Sequence, residues 1–483
     1  MRILSLLGLI LSLTIPCRPQ EWILAFERGL LTPRIVHALS DGGFLMGGKG
    51  VLMKLAPEGR IAWQFEYRGV DFLLWDILDI QPTSDRGYVA TGRADFKYPD
   101  ALVMKLDGTG RVDWARKYDA RDWFIPVSIC QTPDSGFILT GNVRWEEYSG
   151  WEHLGRFYNF LILKLTASGD VEWCWKLGRS EHDEAFWIES TQDGGFIIAG
   201  RTGYRYEKKR DMWVVKFTSF GVVEWQRLYG GPKREEALCI RQTADGGYVG
   251  AGWESSFGGP DGALILKLSS NGDIQWQRSF KRRDRPTHAS SIALIPEAGY
   301  VVTGGGWEDN SDLWLLRISP SGNLEWQKRL DEETGGGYAV ASSQDGRLLV
   351  GGWREIPVWW TDHWIYLPQP LGLMLTSSGE MNPCAPWQDF DMVIQKTDIQ
   401  PETTFAITES YDIVPEEVEI ERTDRLEGWE ILCGGSDMFP IFPPREFAGN
   451  LFENRSLFFH EYLVELSWAA NPENSGRKAG AGA

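Results

Sequence analysis

Thr191-Gln192-Asp193-Gly194-Gly195-Phe196-Ile197-Ile198-Ala199-Gly200 opens a stretch that continues through Asp211-Met212-Trp213-Val214-Val215-Lys216-Phe217, a turn at Gly221 and Val223-Glu224-Trp225-Gln226-Arg227-Leu228-Tyr229-Gly230-Gly231. Asp-Gly-Gly is a tight-turn sequence, because glycine reaches the positive φ that short hairpins require. The flanking runs are short, rich in β-branched and aromatic residues and bounded by further glycines, which is the signature of strands. With the run ahead of Thr191, the stretch reads as four antiparallel strands.

The same pattern is written seven times. Its acidic turn recurs as Asp41-Gly42-Gly43, Asp85-Arg86-Gly87, Asp134-Ser135-Gly136, Asp193-Gly194-Gly195, Asp245-Gly246-Gly247, Glu297-Ala298-Gly299 and Asp345-Gly346-Arg347. A short apolar run follows each turn, and then a third strand closed by Lys54, Lys105, Lys164, Lys216, Lys267 or Arg317, with Met374 in the seventh copy. Four residues beyond the next turn glycine stands Trp63, Trp114, Trp173, Trp225, Trp276 or Trp326, and the seventh copy lacks it. A period near 50 residues is a repeat architecture, and seven four-stranded units predict an all-β, seven-bladed β-propeller over residues 20–382. Third strands such as Leu161-Ile162-Leu163 are apolar without alternation, as expected where both faces are covered. Trp22-Ile23-Leu24-Ala25-Phe26 is a fourth strand standing ahead of the first copy, so the N-terminus is expected to complete the last blade and hide a sheet edge.

On these motifs the chain resembles a family of secreted bacterial and archaeal propellers built on an Asp-Gly-Gly-aromatic repeat, a Lys-closed third strand and a Gly-x-x-x-Trp fourth strand. The resemblance implies an extracytoplasmic scaffold and no particular reaction. Arg347, Glu297-Ala298 and the short connection after Gly48 depart from the pattern.

Outside the repeats, residues 1–19 read as a signal peptide: Arg2, an apolar run from Ile3 to Leu13, then Pro16 and Cys17, a candidate for lipidation. Residues 383–470 form a C-terminal extension. Within it 391–423 is Glu/Thr-rich without glycine and reads as extended segments laid against the blades or as a small appendage. The Gly/Ala/Asn-rich tail 471–483 is expected to be disordered. The formal charge of −18 is spread along the chain and argues for solubility and against nucleic acid as a partner. No later segment is apolar enough to cross a membrane as a helix. Cys130, Cys174 and Cys239 lie in strand-like runs and read as buried thiols, whereas Cys384 and Cys433 are the pair expected to be bridged.

A residue that recurs in every copy serves the copy, which assigns the acidic turns, the Lys series and the Trp series to structure. Function is expected in what does not recur, the connections between second and third strands at 142–159, 201–211, 253–261, 305–312 and 353–370. They carry the candidate ligand-binding aromatics Trp145, Tyr148, Trp151, Tyr204, Tyr206, Trp253, Trp307, Trp353, Trp359, Trp360 and Trp364, a set suited to sugars or a protein partner at the cell surface and equally able to cap the long loops. Acids on the same connections, among them Glu146, Asp211, Glu254, Asp261, Asp312 and Glu355, leave a carbohydrate hydrolase or lyase as the alternative, and a structural subunit of a surface assembly as a third reading. The six histidines show no metal-ligand spacing, and no nucleophile elbow or phosphate loop is present. Neither a catalytic residue nor a metal or other cofactor is therefore assigned, and the expectation is a secreted, non-enzymatic binding scaffold.

Overall fold

The computed structural model describes residues 22–26, 33–69, 74–94, 99–120, 123–149, 152–180, 182–203, 209–283, 285–295, 299–305, 312–330, 335–360, 363–376, 378–379 and the strands between 387 and 468 named below. The described residues contain strands, turns and bends and no helix. They divide into two units, one of residues 1–354 and 369–435, the other of 355–368 and 436–483.

In the first unit each of the first six repeats supplies four antiparallel strands to one sheet, and the seventh supplies three. The fourth is representative: Glu184–Ser190, Phe196–Gly203, Arg210–Phe217 and Val223–Gly230 pair in chain order. The other sheets span 35–69, 74–119, 123–178, 235–281, 288–330 and, for the seventh, 335–375. The sixth and seventh are bridged at a single pair, Gly305 and Gly336. Trp22–Phe26 pairs with the strand His363–Leu375 and so gives the seventh sheet its fourth strand. Its register places Trp22 opposite Met374, just as Trp225 stands opposite Lys216 and Trp63 opposite Lys54. The missing seventh Trp is thus supplied from the other end of the repeat array.

The third strands explain their own composition. Leu161 and Leu163 pack toward the second sheet while Ile162, between them, packs toward the fourth. Side chains on a strand alternate between faces, so a strand sandwiched between two sheets has no polar side to show. Seven apolar clusters form in this way, each between two sheets. Six join consecutive sheets, and in the seventh Val36, Phe44 and Met53 of the first sheet pack with Leu349 and Met374 of the last.

The connection expected at 142–159 is not a loop. Phe137–Ser149 and Glu152–Leu165 remain paired along their length, Trp145 with Phe157 and Tyr148 with His153. Leu348–Trp360 and His363–Leu375 are likewise neighbouring strands. Both segments are dense in aromatic and β-branched residues, which favour continued pairing over irregular chain.

The segment after the repeats adds a fifth strand to every sheet. Trp387–Gln388, Val393–Gln395, Gln400–Thr403, Ile407–Ser410, Val414–Glu417 and Ile420–Asp424 pair with the outer strands of the sixth, fifth, fourth, third, second and first sheets in turn, and Trp429–Ile431 pairs with Trp22–Phe26 of the seventh. An outer strand presents unpaired N–H and C=O groups, and these short strands cover part of each row. Of the two forms allowed for residues 391–423, extended segments against the sheets is the one observed. The first unit keeps the chain as far as residue 435, so its limit falls within the stretch 383–470. In the second unit Phe447–Ser456 and Phe459–Trp468 form an antiparallel hairpin. Residues 1–19, Cys384, Cys433 and the tail 471–483 lie outside the described residues.

Candidate functional site

An antiparallel sheet has two ends, and here they differ in chemistry. The acidic turns and the turns before the Trp strands share one end. Asp193 Oδ1 accepts from the Gly195 amide at 3.0 Å and from the Thr191 hydroxyl at 2.5 Å, and its other oxygen meets Lys216 Nζ at 2.9 Å. Lys216 also donates to the carbonyl of Phe217 at 2.8 Å and meets Glu224 at 2.8 Å. Burial tends to raise the Asp193 pKa, but the hydroxyl, ammonium and amide outweigh it and hold the carboxyl down at about 2. Asp85 with Lys105 and Asp245 with Lys267 repeat the arrangement.

The Trp series joins one sheet to the next. Gly221 has φ +76, and a Cβ there would lie 2.8 Å from Trp175 and 2.9 Å from Trp173. Gly272 stands in the same relation to Trp225, whose indole N–H donates to the Ser270 carbonyl at 2.9 Å. Tyr67, Tyr118 and Tyr229 each donate a hydroxyl to the turn glycine carbonyl of the following sheet at 2.6–2.7 Å. Glycine is required here twice over, for its backbone angle and for the ring that covers it.

Between the first strands of neighbouring sheets lie polar contacts that the repeat pattern did not signal. Asp79 is buried and accepts from Ser128 Oγ at 2.8 Å and the Ile129 amide at 3.0 Å, with His37 Nε2 at 3.4 Å. Serine and histidine meet different oxygens of this carboxylate, an order that differs from the serine–histidine–carboxylate order of a hydrolytic triad. Arg241, paired with Glu189 at 3.0 Å, lies 4.5 Å over the Trp187 ring. Cys130, Cys174 and Cys239 are buried free thiols, and burial pushes Cys174 up to about 12. The only sequence signal for this layer is a charged residue inside an otherwise apolar first strand.

The hairpins between second and third strands, together with the links from sheet to sheet, form the other end. Here the described pairs differ from sheet to sheet. Arg201 is clamped between Glu184 at 2.5 Å and Glu236. Glu254 accepts from Ser279 at 2.6 Å and pairs with Lys281 at 2.8 Å, while Asp312 takes Arg282 and, at 3.3 Å, Arg329. Glu235 stands opposite Glu254 in the register, and both are closed off from solvent. Burial raises Glu235 to about 7, and the charges of Asp211 and Glu254 add to it.

The candidate aromatics divide. Trp145 and Tyr148 lie on the paired arm of the third sheet, and Trp253 and Trp353, both half-buried, lie on second strands of the fifth and seventh. Trp359, Trp360 and Trp364 belong to the second unit. Trp151, Tyr204, Tyr206 and Trp307 lie outside the described residues. Of the acids, Asp211, Glu254 and Asp312 are buried in ion pairs. Among the described residues no group of three or more His, Cys, Asp or Glu side chains is placed to hold a metal ion, and no helix is long and apolar enough to cross a membrane.

No protein-family model matches the chain, and no curated protein matches it. Among solved structures it is similar to a tail fiber of Staphylococcus aureus phage P68, at 10% identity and a TM-score of 0.23, over 52% of this chain and 50% of that one. The chain therefore spans about half the length of that structure.

Proposed function

We propose that the chain is a seven-bladed β-propeller of the Asp-Gly-Gly-aromatic repeat family, exported from the cell interior, with the N-terminal strand completing its last blade. It serves as a non-enzymatic scaffold that binds a glycan, peptide or cell-envelope partner through the hairpin end of the blades. The ring reading draws support from the apolar cluster between the last and first sheets, and from the order in which residues 387–431 visit the sheets, from sixth back to first and then seventh.

One observation carries the binding reading: the recurring Asp, Lys, Tyr and Trp side chains are committed to bonds within and between sheets at the turn end, and the residues that vary gather at the other. Residues set on variable segments of a rigid frame are the usual recognition elements. The test is a glycan array probed with the purified full-length protein, followed by a variant with Trp359, Trp360 and Trp364 all changed to Ala. Loss of the aromatic anchors is expected to weaken binding by about tenfold or more. Binding that survives in the variant would sink the assignment of the face.

A further inference from the structure

Phe220 and Val222 are the two large apolar side chains that stand exposed among the described residues, at 80% and 59%, and they flank Gly221 in the turn of the fourth sheet. The other copies write that turn with polar residues on both sides of glycine: Glu58-Gly59-Arg60, Thr109-Gly110-Arg111, Ser168-Gly169-Asp170, Asn271-Gly272-Asp273, Ser321-Gly322-Asn323 and Ser378-Gly379-Glu380. The recurring glycine serves the sheet, so the apolar pair is what the fourth copy adds.

Part of the change belongs to the junction between sheets. Arg116 pairs with Asp170 at 2.5 Å where the second sheet meets the third, and one sheet further on the same two positions hold Trp175 and Val222. An ion pair has been exchanged for an apolar pair. Phe220 has no place in that exchange and turns outward. The turn beneath it is fixed: the Thr218 amide donates to the Val222 carbonyl at 2.8 Å, and Thr218 Oγ1 accepts from the amides of Phe220 at 3.3 Å and Val222 at 3.2 Å. Trp173 and Trp175, stacked with ring centroids 4.5 Å apart, close over Gly221. Binding at a tip already ordered in this way costs little further entropy.

The charge around the tip has one sign. Lys164 is held by Asp134 and Glu172, and Lys216 by Asp193 and Glu224; both ammoniums are buried and all four carboxylates are exposed. Four acids over two cations leave this surface negative, with Glu172 next to Trp173 and Glu224 two residues past Val222.

These features exclude occupants in turn. A side chain projecting from a turn is not a concave site, which small molecules require. Nucleic acid and anionic lipid meet like charge. Two apolar side chains bury less than the single myristoyl chain whose hold on a bilayer is itself marginal. A second copy set on the same patch about a two-fold axis would place Glu172 and Glu224 against carboxylates of the same patch.

We infer that the turn carrying Phe220 and Val222 is a docking knob for a protein partner whose contact face is apolar at its centre and basic at its rim. An aromatic anchor seated in an apolar hollow inside a polar rim is the usual anatomy of a protein interface, and complementary charge fixes the register of the encounter. The knob lies at the turn end and is independent of binding at the hairpin end.

The probe is a fluorescently labelled amphipathic helical peptide of leucine and lysine, titrated with the full-length protein at ~20 mM salt and read by anisotropy. Phe220→Ser/Val222→Ser is expected to weaken its binding about tenfold or more, with the melting temperature unchanged because both positions are exposed. A peptide with glutamate in place of lysine is expected not to bind. No binding of the leucine-lysine peptide by wild type, equal binding by the variant, or equal binding of the glutamate peptide overturns the inference. Self-association of wild type in sedimentation that the variant loses overturns it in favour of a second copy, and pelleting of wild type but not the variant with phosphatidylcholine vesicles overturns it in favour of a lipid surface. Substitution of Trp359, Trp360 and Trp364 by Ala is expected to leave the peptide affinity unchanged, so that failure at the turn end and failure at the hairpin end are read separately.

Discussion

The two ends of the sheets obey different rules. At the turn end Asp41, Asp85, Asp134, Asp193 and Asp245 each meet a lysine at 2.7–2.9 Å, whereas at the hairpin end the described pairs of the fourth and fifth sheets differ from one another. The seventh sheet shows how tightly the first rule is held. Met374 removes its lysine, and Arg347 occupies the third turn position, where the other described turns have glycine. A Cβ at Gly195 would come within 2.1 Å of the Phe217 carbonyl, and at Gly247 within 2.3 Å of the Leu268 carbonyl. With Arg347 the turn opens, its amide standing 3.5 Å from Asp345 Oδ1 where Gly195 is at 3.0 Å. The guanidinium then takes over the lost ammonium, 2.8 Å from Asp345, and reaches the carbonyls of Gly42 at 3.1 Å and Pro57 in the first sheet. The cation has moved from strand to turn, and the pairing with the acid persists. Architecture at one end is conserved in kind even where the residues change, and recognition is free to vary at the other.

The comparison breaks first at the glycines. Gly221→Val is expected to cost about 2–4 kcal/mol, from the left-handed backbone plus the overlap with Trp173 and Trp175. Gly259→Ala at the hairpin end has φ +71 and nothing within 4 Å of its Cβ, so only the backbone contributes, about 1 kcal/mol. Urea-unfolding midpoints check both, and equal losses would mean the ends are not built differently. Next in size, Lys216→Met is expected to cost about 1–3 kcal/mol, because Asp193, Glu224 and the Phe217 carbonyl lose a buried donor. The Asp193 carboxyl is depressed from 3.8 to about 2, so its contribution is present above pH ~4 and is lost as pH falls through about 2. The melting-temperature gap between wild type and Lys216→Met should therefore narrow from pH 4 to pH 2. A gap that stays constant would assign the lysine's role to packing alone.

The four-strand repeat was legible because its turns depend on glycine and its sheet-to-sheet contacts on tryptophan, two residues that leave an unambiguous trace. The same logic exposed Trp22–Phe26 as a displaced fourth strand. The strands of 387–431 left a weaker trace, since the sheets they join are recognised through backbone pairing, which any residue with an N–H and C=O can make. Pro401 and Pro415 even sit within them, opposite Tyr229 and Tyr118, which an outermost strand tolerates. Charge at the hairpin end was legible as composition only. Asp211, Glu254 and Asp312 stood out as acids on exposed connections, and folding turns them inward against Lys209, Lys281 and Arg282. Lys281 and Arg282 come from other strands and links than the acids they meet, and partners that distant in sequence cannot be read from local pattern. Nor did spacing announce Asp79, which joins His37 and Ser128 of two other sheets.

The smallest expected effect separates the two ends by pH. At the turn end Asp85, Asp193 and Asp245 titrate near 2, so that end keeps its charge throughout the neutral range. At the hairpin end burial raises Glu235 from 4.5 to about 7, reinforced by Asp211 and Glu254 and opposed by the Gly231 amide and the Ser256 hydroxyl. A carboxyl raised in the folded state contributes stability that is full below about 4.5 and is lost as pH rises through about 7. Wild type should then lose on the order of 1 kcal/mol between pH 5 and 8, read as a shift of a few degrees in melting temperature. Glu235→Gln keeps the shape of the side chain and cannot ionise, so its profile should lose this part of the slope over the same range. Asp261, raised by burial and by Glu254, sits at the same end and would be the next group to test. An unchanged slope in both Glu235→Gln and Asp261→Asn would place the titrating group elsewhere and remove the claim that the variable end alone responds to pH near neutrality.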